Sequence, residues 1–289
     1  MRVWLHTLLI ALVLAPAWAQ EPETEARLLI CYPRAPGTTR SAEPVMERLG
    51  AYLSERGSPQ QPTYFNDAEV AGEWLSRKRP RYAILSLALF LRWREEHGLV
   101  AIASSERAQA THERFHLLVR QDAQVKELAD LLSLGRPAKL WSSHLDDPRF
   151  ASRVVFQGKL EISATGPVRS VATSQPLRAL RRLKTKQAFE GQPVDAVLVD
   201  GVTWRGLQQL KSFQGVLRVL YSSPPLPTPP VVALEGASKE ETETLRQALF
   251  TMHDDPLGKK LLKTLQLARF KAAEPKALDA VVAAYQGSK

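Results

Sequence analysis

Residues 216–236 read VLRVLYSSPPLPTPPVVALEG, and residues 243–262 read ETLRQALFTMHDDPLGKKLL. The first stretch opens with a β-run, Val216–Tyr221, and closes with a second apolar run, Val231–Leu234. Between them lie two serines and five prolines. Proline has no N–H to give to a ladder, so residues 224–230 are expected as a turn or sheet edge, not a central strand. The second stretch reads as an amphipathic helix with Leu245, Leu249, Met252 and Leu257 as candidate core-face residues. The corner Asp254-Asp255-Pro256-Leu257-Gly258 interrupts it.

Working outward, strand and helix signals alternate. Arg27–Tyr32 reads as a strand, followed by a turn-rich loop at 34–41 and a helix over Ala42–Arg56 with Val45, Met46, Leu49 and Leu53 on one face. Strands are expected at Pro62–Phe65, Tyr82–Leu87, Leu99–Ser104, Arg114–Arg120, Ala138–Trp141 and Val194–Val199. Helices are expected at Asp67–Arg77, Ala88–His97, Val125–Leu134, Pro148–Gln157, Leu177–Glu190 and Trp204–Leu210. Alternation without a hairpin-rich region argues for an α/β fold with mainly parallel sheet.

The N-terminus carries Arg2, an apolar run from Leu8 to Ala15, and the small-x-small site Ala17-Trp18-Ala19. This is the pattern of a secretory signal peptide, residues 1–19, too short to be a membrane span. Cleavage after Ala19 would leave about 270 residues and place the protein in the periplasm. With no cysteine at the cut, a soluble exported protein is expected. Removing the signal takes one of the 39 basic residues and none of the 30 acidic ones, so the net charge falls from +9 to +8. The basic residues are spread among acids, and the densest run, Arg178–Lys186, reads as a solvated helix face. A small anionic solute is the expected partner, rather than nucleic acid. The single cysteine, Cys31, lies in an apolar run and reads as a buried thiol.

The order of these elements resembles the periplasmic substrate-binding proteins of ABC importers, the phosphate/phosphite/phosphonate type. In that family a serine-then-proline strand returns from the second lobe to the first, and a helix carrying "DDP-x-G" follows, as at 216–258 here. The strand, loop and helix at 28–56 match its opening. Leu128-Ala129-Asp130-Leu131-Leu132, Gly135, the strand Ala138–Trp141 and Ser142-Ser143-His144 match its second lobe. Gly191, Asp195-Ala196 and Asp200 match its "G-x-x-D-A-x-x-x-D". The resemblance implies a two-lobed fold, each lobe a sheet flanked by helices. Lobe one would hold 22–114 and 224–289, and lobe two 118–219. Two crossover strands, about 115–120 and 218–224, would form the hinge. It also implies capture of a small oxyanionic, phosphate- or phosphonate-like solute and docking on an inner-membrane ABC permease, with no cofactor and a monomeric state. The sequence departs from the family where a phosphate-cradling "S-T-S-G" is usual. Here Ser142-Ser143-His144 run into Leu145-Asp146-Asp147, so the glycine is missing and two acids would repel a dianion if they point inward.

In such a fold the ligand lies at the carboxyl ends of the strands, between the lobes. The candidate ligand-binding residues are therefore Arg34, Thr38, Thr39 and Arg40 after the first strand, Ser86 after the third, and Ser142, Ser143 and His144 at the second-lobe helix start. Asp200 follows VDAVLV, and Tyr221 and Ser222 lie on the return strand. The two arginines carry the expectation of an oxyanion, since a guanidinium offers paired N–H donors. No HExxH, G-x-S-x-G, P-loop or Cys/His metal spacing is present, so neither an enzyme nor a metal site is expected. A sensing module that docks on an envelope partner such as a sensor kinase is the rival reading, favoured by the altered cradle.

Overall fold

The computed structural model describes residues 26–35, 37–107 and 110–287; the expected signal peptide lies outside the described residues. The first unit contains β1 (Ala26–Cys31), α1 (Thr39–Ser54), β2 (Gln60–Phe65), α2 (Ala68–Lys78), β3 (Tyr82–Leu85), α3 (Leu87–Trp93) and β4 (Val100–Arg107). The second contains β5 (Phe115–Arg120), a 3-10 helix (Leu128–Ser133), β6 (Ala138–Ser142), a π-helical segment (Phe150–Val155), β7 (Val168–Ala172), α4 (Pro176–Thr185), β8 (Ala196–Asp200), α5 (Gly201–Gln209) and β9 (Leu217–Ser222). The chain then returns with β10 (Pro230–Ala233), α6 (Lys239–Phe250), α7 (Pro256–Thr264), β11 (Leu267–Lys271) and α8 (Pro275–Gln286). One sheet has the order β11-β4-β10-β3-β1-β2 and the other β7-β6-β8-β5-β9.

Apolar runs without alternation became the central strands. Leu28 to Cys31, all of β3 and all of β8 are buried, as expected for strands covered on both faces. Burial also pushes the Cys31 thiol pKa well above its ordinary value, with Asp67 and Asp146 adding to the shift. The α/β class holds, but the pairing is mixed rather than mainly parallel. The pairs β1–β2, β1–β3, β6–β7 and β6–β8 are parallel, while β5 and β10 run against both of their neighbours. These two are the first strands after each crossing between sheets. They arrive directly from the other sheet, with no helical crossover to bring them in parallel.

The crossings fall between β4 and β5 and between β9 and β10. The strands expected as the hinge, 115–120 and 218–224, lie largely within the second sheet as β5 and β9. Glu113 and Leu226 exchange backbone hydrogen bonds of 2.9 and 2.8 Å at the crossing itself. Ser223 Oγ accepts from Phe115 N–H at 3.0 Å. Pro230 does enter a central strand, contrary to the sequence expectation. It is the first residue of β10, the position in a strand where a missing N–H is best tolerated.

The DDPLG corner breaks the helical stretch, as its sequence indicates, into α6 and α7. Asp255 caps α7 by accepting from Gly258 N–H at 2.8 Å. The same carboxylate accepts from Tyr52 Oη and Arg56 Nη2, both at 2.7 Å, tying α1 to the corner. A Cβ on Gly258 would stand 2.0 Å from the Met252 carbonyl oxygen, so only glycine fits. β7, β11 and α8 are elements that the sequence pattern did not show. α8 departs from the assignment of 224–289 to one lobe: it packs on the π-helical segment of the second unit. Its Tyr285 Oη donates to Asp147 at 2.8 Å, and Arg153 Nη1 donates to the Tyr285 carbonyl at 3.0 Å.

Candidate functional site

A cleft of about 790 Å³ opens between the two sheets, where loops leave the ends of β1, β3, β4, β6 and β8. Its walls are largely apolar: Ile30, Met46, Ile84 and Leu89 from the first unit, Phe150 and Leu207 from the second. The lining also carries four carboxylates, on Glu113, Asp146, Asp147 and Asp200, and two guanidiniums, on Arg92 and Arg107, together with His144.

Asp200 is the best-partnered group. It ends β8 and caps α5, accepting from Thr203 N–H at 2.7 Å. Arg107, at the end of β4, reaches across from the first sheet and donates to its Oδ2 at 2.9 Å. His144 Nε2 lies 3.6 Å from the same oxygen, and the His144 ring stacks edge-on to Phe115 at 5.0 Å. Burial by itself would raise the Asp200 pKa, but His144, Arg107 and the Thr203 N–H outweigh it and hold the carboxyl well below the usual range.

Glu113, on the first crossing, lines the cleft beside this cluster. Its carboxylate makes no hydrogen bond or ion pair with any described side chain. Burial pushes its pKa up, against the opposing pull of Arg107 and His144, and Asp200 adds to the rise. Tyr32 also lines the cleft; its hydroxyl lies 3.5 Å from Ser105 Oγ, and burial raises its pKa.

Of the residues singled out in the sequence, Ser86, Ser143, His144 and Asp200 line the cleft. The others do other work. Arg34 has φ +60° and points its Nε to Asp146 Oδ1 at 2.9 Å, so it links the two units as an ion pair. Thr38 is the exposed N-cap of α1, in a capping box with Ser41. Thr39 and Arg40 face a separate surface hollow between α1 and β2. Ser142 is fully buried, donating to the Leu198 carbonyl at 2.6 Å and accepting from His144 N–H at 2.9 Å. Tyr221 donates to the Val155 carbonyl at 3.0 Å, and Ser222 bonds His116 Nδ1 at 2.9 Å, both away from the cleft lining. The basic-loop argument for an oxyanion therefore loses its two arginines. The two acids of the altered cradle do line the cleft. Asp146 is matched by Arg34, and Asp147 accepts from Arg149 N–H, Phe150 N–H and Tyr285 Oη.

Arg107, Glu113 and Tyr32 were missed by sequence reasoning. Arg107 and Glu113 fall in or beside the polar link between two apolar runs, where no periodicity marks a function. The only available signal was their position at the end of a strand that changes lobes. Among the described residues no three His, Cys, Asp or Glu side chains are placed to hold a metal ion. No helix of the described residues is long and apolar enough to cross a membrane.

Two mixed sheets joined by two crossings around a lined cleft define a bilobal binding protein. Residues 37–278 match the family model of the periplasmic substrate-binding proteins of phosphonate ABC transporters, and the chain belongs to that family. It is a family of binding proteins, not of enzymes, whose place is the periplasm. XAC2383 from Xanthomonas citri bound to ATP superposes with a TM-score of 0.71 at 15% identity, covering 92% of this chain and 98% of that one. A binding protein component of an ABC phosphonate transporter from Pseudomonas aeruginosa gives 0.66 at 16% identity, over 91% and 88% of the two chains. PhnD1 from Prochlorococcus marinus in complex with methylphosphonate gives 0.64 at 11% identity, over 91% and 99%. No curated protein matches the sequence.

Proposed function

We propose that this protein, exported by its N-terminal signal, captures a small solute in the cleft between its lobes and delivers it to a membrane permease. The observation that carries this reading is the shared lining: Arg107 from the first sheet and Asp200 from the second meet in a cleft of about 790 Å³. That size suits a small molecule. Closure of two lobes on a ligand is the motion such a joint allows. Lobe one would hold the first sheet and lobe two the second, working as a monomer. A phosphate- or phosphonate-like oxyanion is the ligand that the family description suggests.

A thermal-shift screen tests the reading. A ligand that binds only the native state raises the melting temperature by mass action. The expected result is a dose-dependent rise with one class of small solute from a panel of oxyanions, amines and zwitterions. The altered cradle, with Asp146 and Asp147 in the cleft lining, supports a second reading, a sensing module docked on an envelope partner. A flat screen would transfer the weight to that reading.

A further inference from the structure

The cleft is far larger than a minimal phosphonate needs. A methylphosphonate takes about the room of four waters, at about 30 Å³ each, whereas the cleft offers about 790 Å³. That volume does not come from lobes swung apart. Arg34 reaches Asp146 and Arg107 reaches Asp200 across the lobes, both at 2.9 Å, so the cleft is measured with its lobes in contact.

The walls of this space are apolar, and part of them lies open to solvent. Leu177 at the start of α4, Val202 in α5 and Leu210 just after it are 52%, 38% and 49% exposed. They are three of the seven exposed large apolar side chains among the described residues, and all three line this one cleft. Val202, Gly206 and Leu210 recur every four residues, so they share one side of α5. Gly206 also lines the cleft, and a Cβ placed on it would meet nothing within 4 Å. α5 thus offers the cleft an apolar stripe with open room at its middle. Such surface stabilises a complex in proportion to the hydrocarbon that covers it.

The charges leave a place for a head group. Asp146 and Asp200 each hold a guanidinium, and Asp147 accepts from two N–H groups and the Tyr285 hydroxyl. Glu113 stands with Arg107 and His144. Arg92, on α3, lines the cleft near Tyr285 and makes no hydrogen bond or ion pair among the described residues.

We infer that the cleft selects an oxyanion that carries a bulky apolar substituent, an aryl or medium-chain alkyl group, and that the α5 stripe with Leu177 holds that substituent. This rests on the solute-binding reading and narrows its substrate class. Arg92 is the cation open to the head group, and the apolar stripe sets the specificity.

The test is a calorimetric titration of the purified protein with methyl-, propyl-, hexyl- and phenylphosphonate, and with hexanol. Affinity should rise about fourfold per added methylene, with hexylphosphonate at least about a hundredfold tighter than methylphosphonate. Gly206→Leu fills the open room on α5 at a helical position that tolerates leucine. It should weaken hexyl- and phenylphosphonate at least tenfold and leave methylphosphonate unchanged. Methylphosphonate binding as tightly as the longer compounds overturns this inference and leaves the solute-binding reading standing. Hexanol binding as tightly as hexylphosphonate overturns the oxyanion half of it. Hexylphosphonate binding undiminished in Gly206→Leu overturns the placement along α5, and silence from every compound overturns both the inference and the oxyanion-capture reading beneath it.

Discussion

Asp255 and Asp200 are built alike and do different things. Each caps a helix, Asp255 by accepting from Gly258 N–H and Asp200 from Thr203 N–H. Each takes a guanidinium from a distant element, Arg56 at 2.7 Å and Arg107 at 2.9 Å, and each has a ring-bearing neighbour, Tyr52 or His144. At the corner, Asp255, Tyr52 and Arg56 satisfy one another and the α7 cap: the result is a joint between α1 and α7. At the cleft, the same joint ties one sheet to the other but stands beside Glu113, a carboxylate that the cluster does not satisfy. A capped aspartate with an arginine is therefore a structural device in both places. The functional mark is the unmatched group next to it, together with open volume.

Five variants break or sharpen that comparison. Arg107→Ala strips the buried Asp200 of its guanidinium and should have the largest effect, a loss of about 3 kcal/mol. Urea denaturation reads it, and an unchanged midpoint would show that the cleft joint carries no stability. Gly258→Ala drives a Cβ into the Met252 carbonyl and should cost about 2 kcal/mol by overpacking the corner. A melting temperature equal to that of the parent would sink the claim that only glycine fits there.

Glu113→Gln should move stability the other way. A carboxyl whose pKa is raised by folding destabilises the native state once the pH exceeds its unfolded value, about 4.3, and the penalty grows until the raised pKa is passed. The groups facing it are Arg107, His144, Asp200 and Tyr32. The variant should melt higher than the parent at pH 7 and equal to it near pH 4; a lower melting point at pH 7 would mean that Glu113 is satisfied after all. Asp200 has the opposite sign: its stabilising contribution is present above about pH 4 and is lost as the pH falls further through its depressed pKa. The smallest effect belongs to Arg34→Ala, an exposed pair worth under about 1 kcal/mol. Arg40→Ala, outside the cleft, should leave ligand affinity unchanged; a tenfold loss would return Arg40 to the site.

Most of the element order was legible because long apolar runs and capped helices follow from local chemistry. The strands β1, β3 and β8 announce themselves by continuous apolar runs, and the helix starts at Asp67 and Asp200 by their capping oxygens. Thr38, read as a ligand contact, instead caps α1, which starts three residues before the expected helix. β11 was not legible because LARFK, with two exposed residues between half-buried and buried ones, has neither alternation nor an apolar run. The strand directions were misjudged because direction depends on how the chain re-enters a sheet, and local propensity does not contain that.

The candidate site divides in the same way. Ser86, Ser143, His144 and Asp200 could be placed from the sequence, because the ends of strands face the cleft in any fold of this class. The roles of Arg34 and Glu113 could not. A sequence lists charges but does not pair them, and Arg34 meets Asp146 across 112 positions of chain. The residues alone determined the α/β class and most of the element order, since these rest on local periodicity and capping, while the two-lobed design was legible only through the resemblance to a known family. Only the tertiary structure decided which charges cancel and which remain, because Coulomb attraction and desolvation act through distances in space that chain spacing does not set.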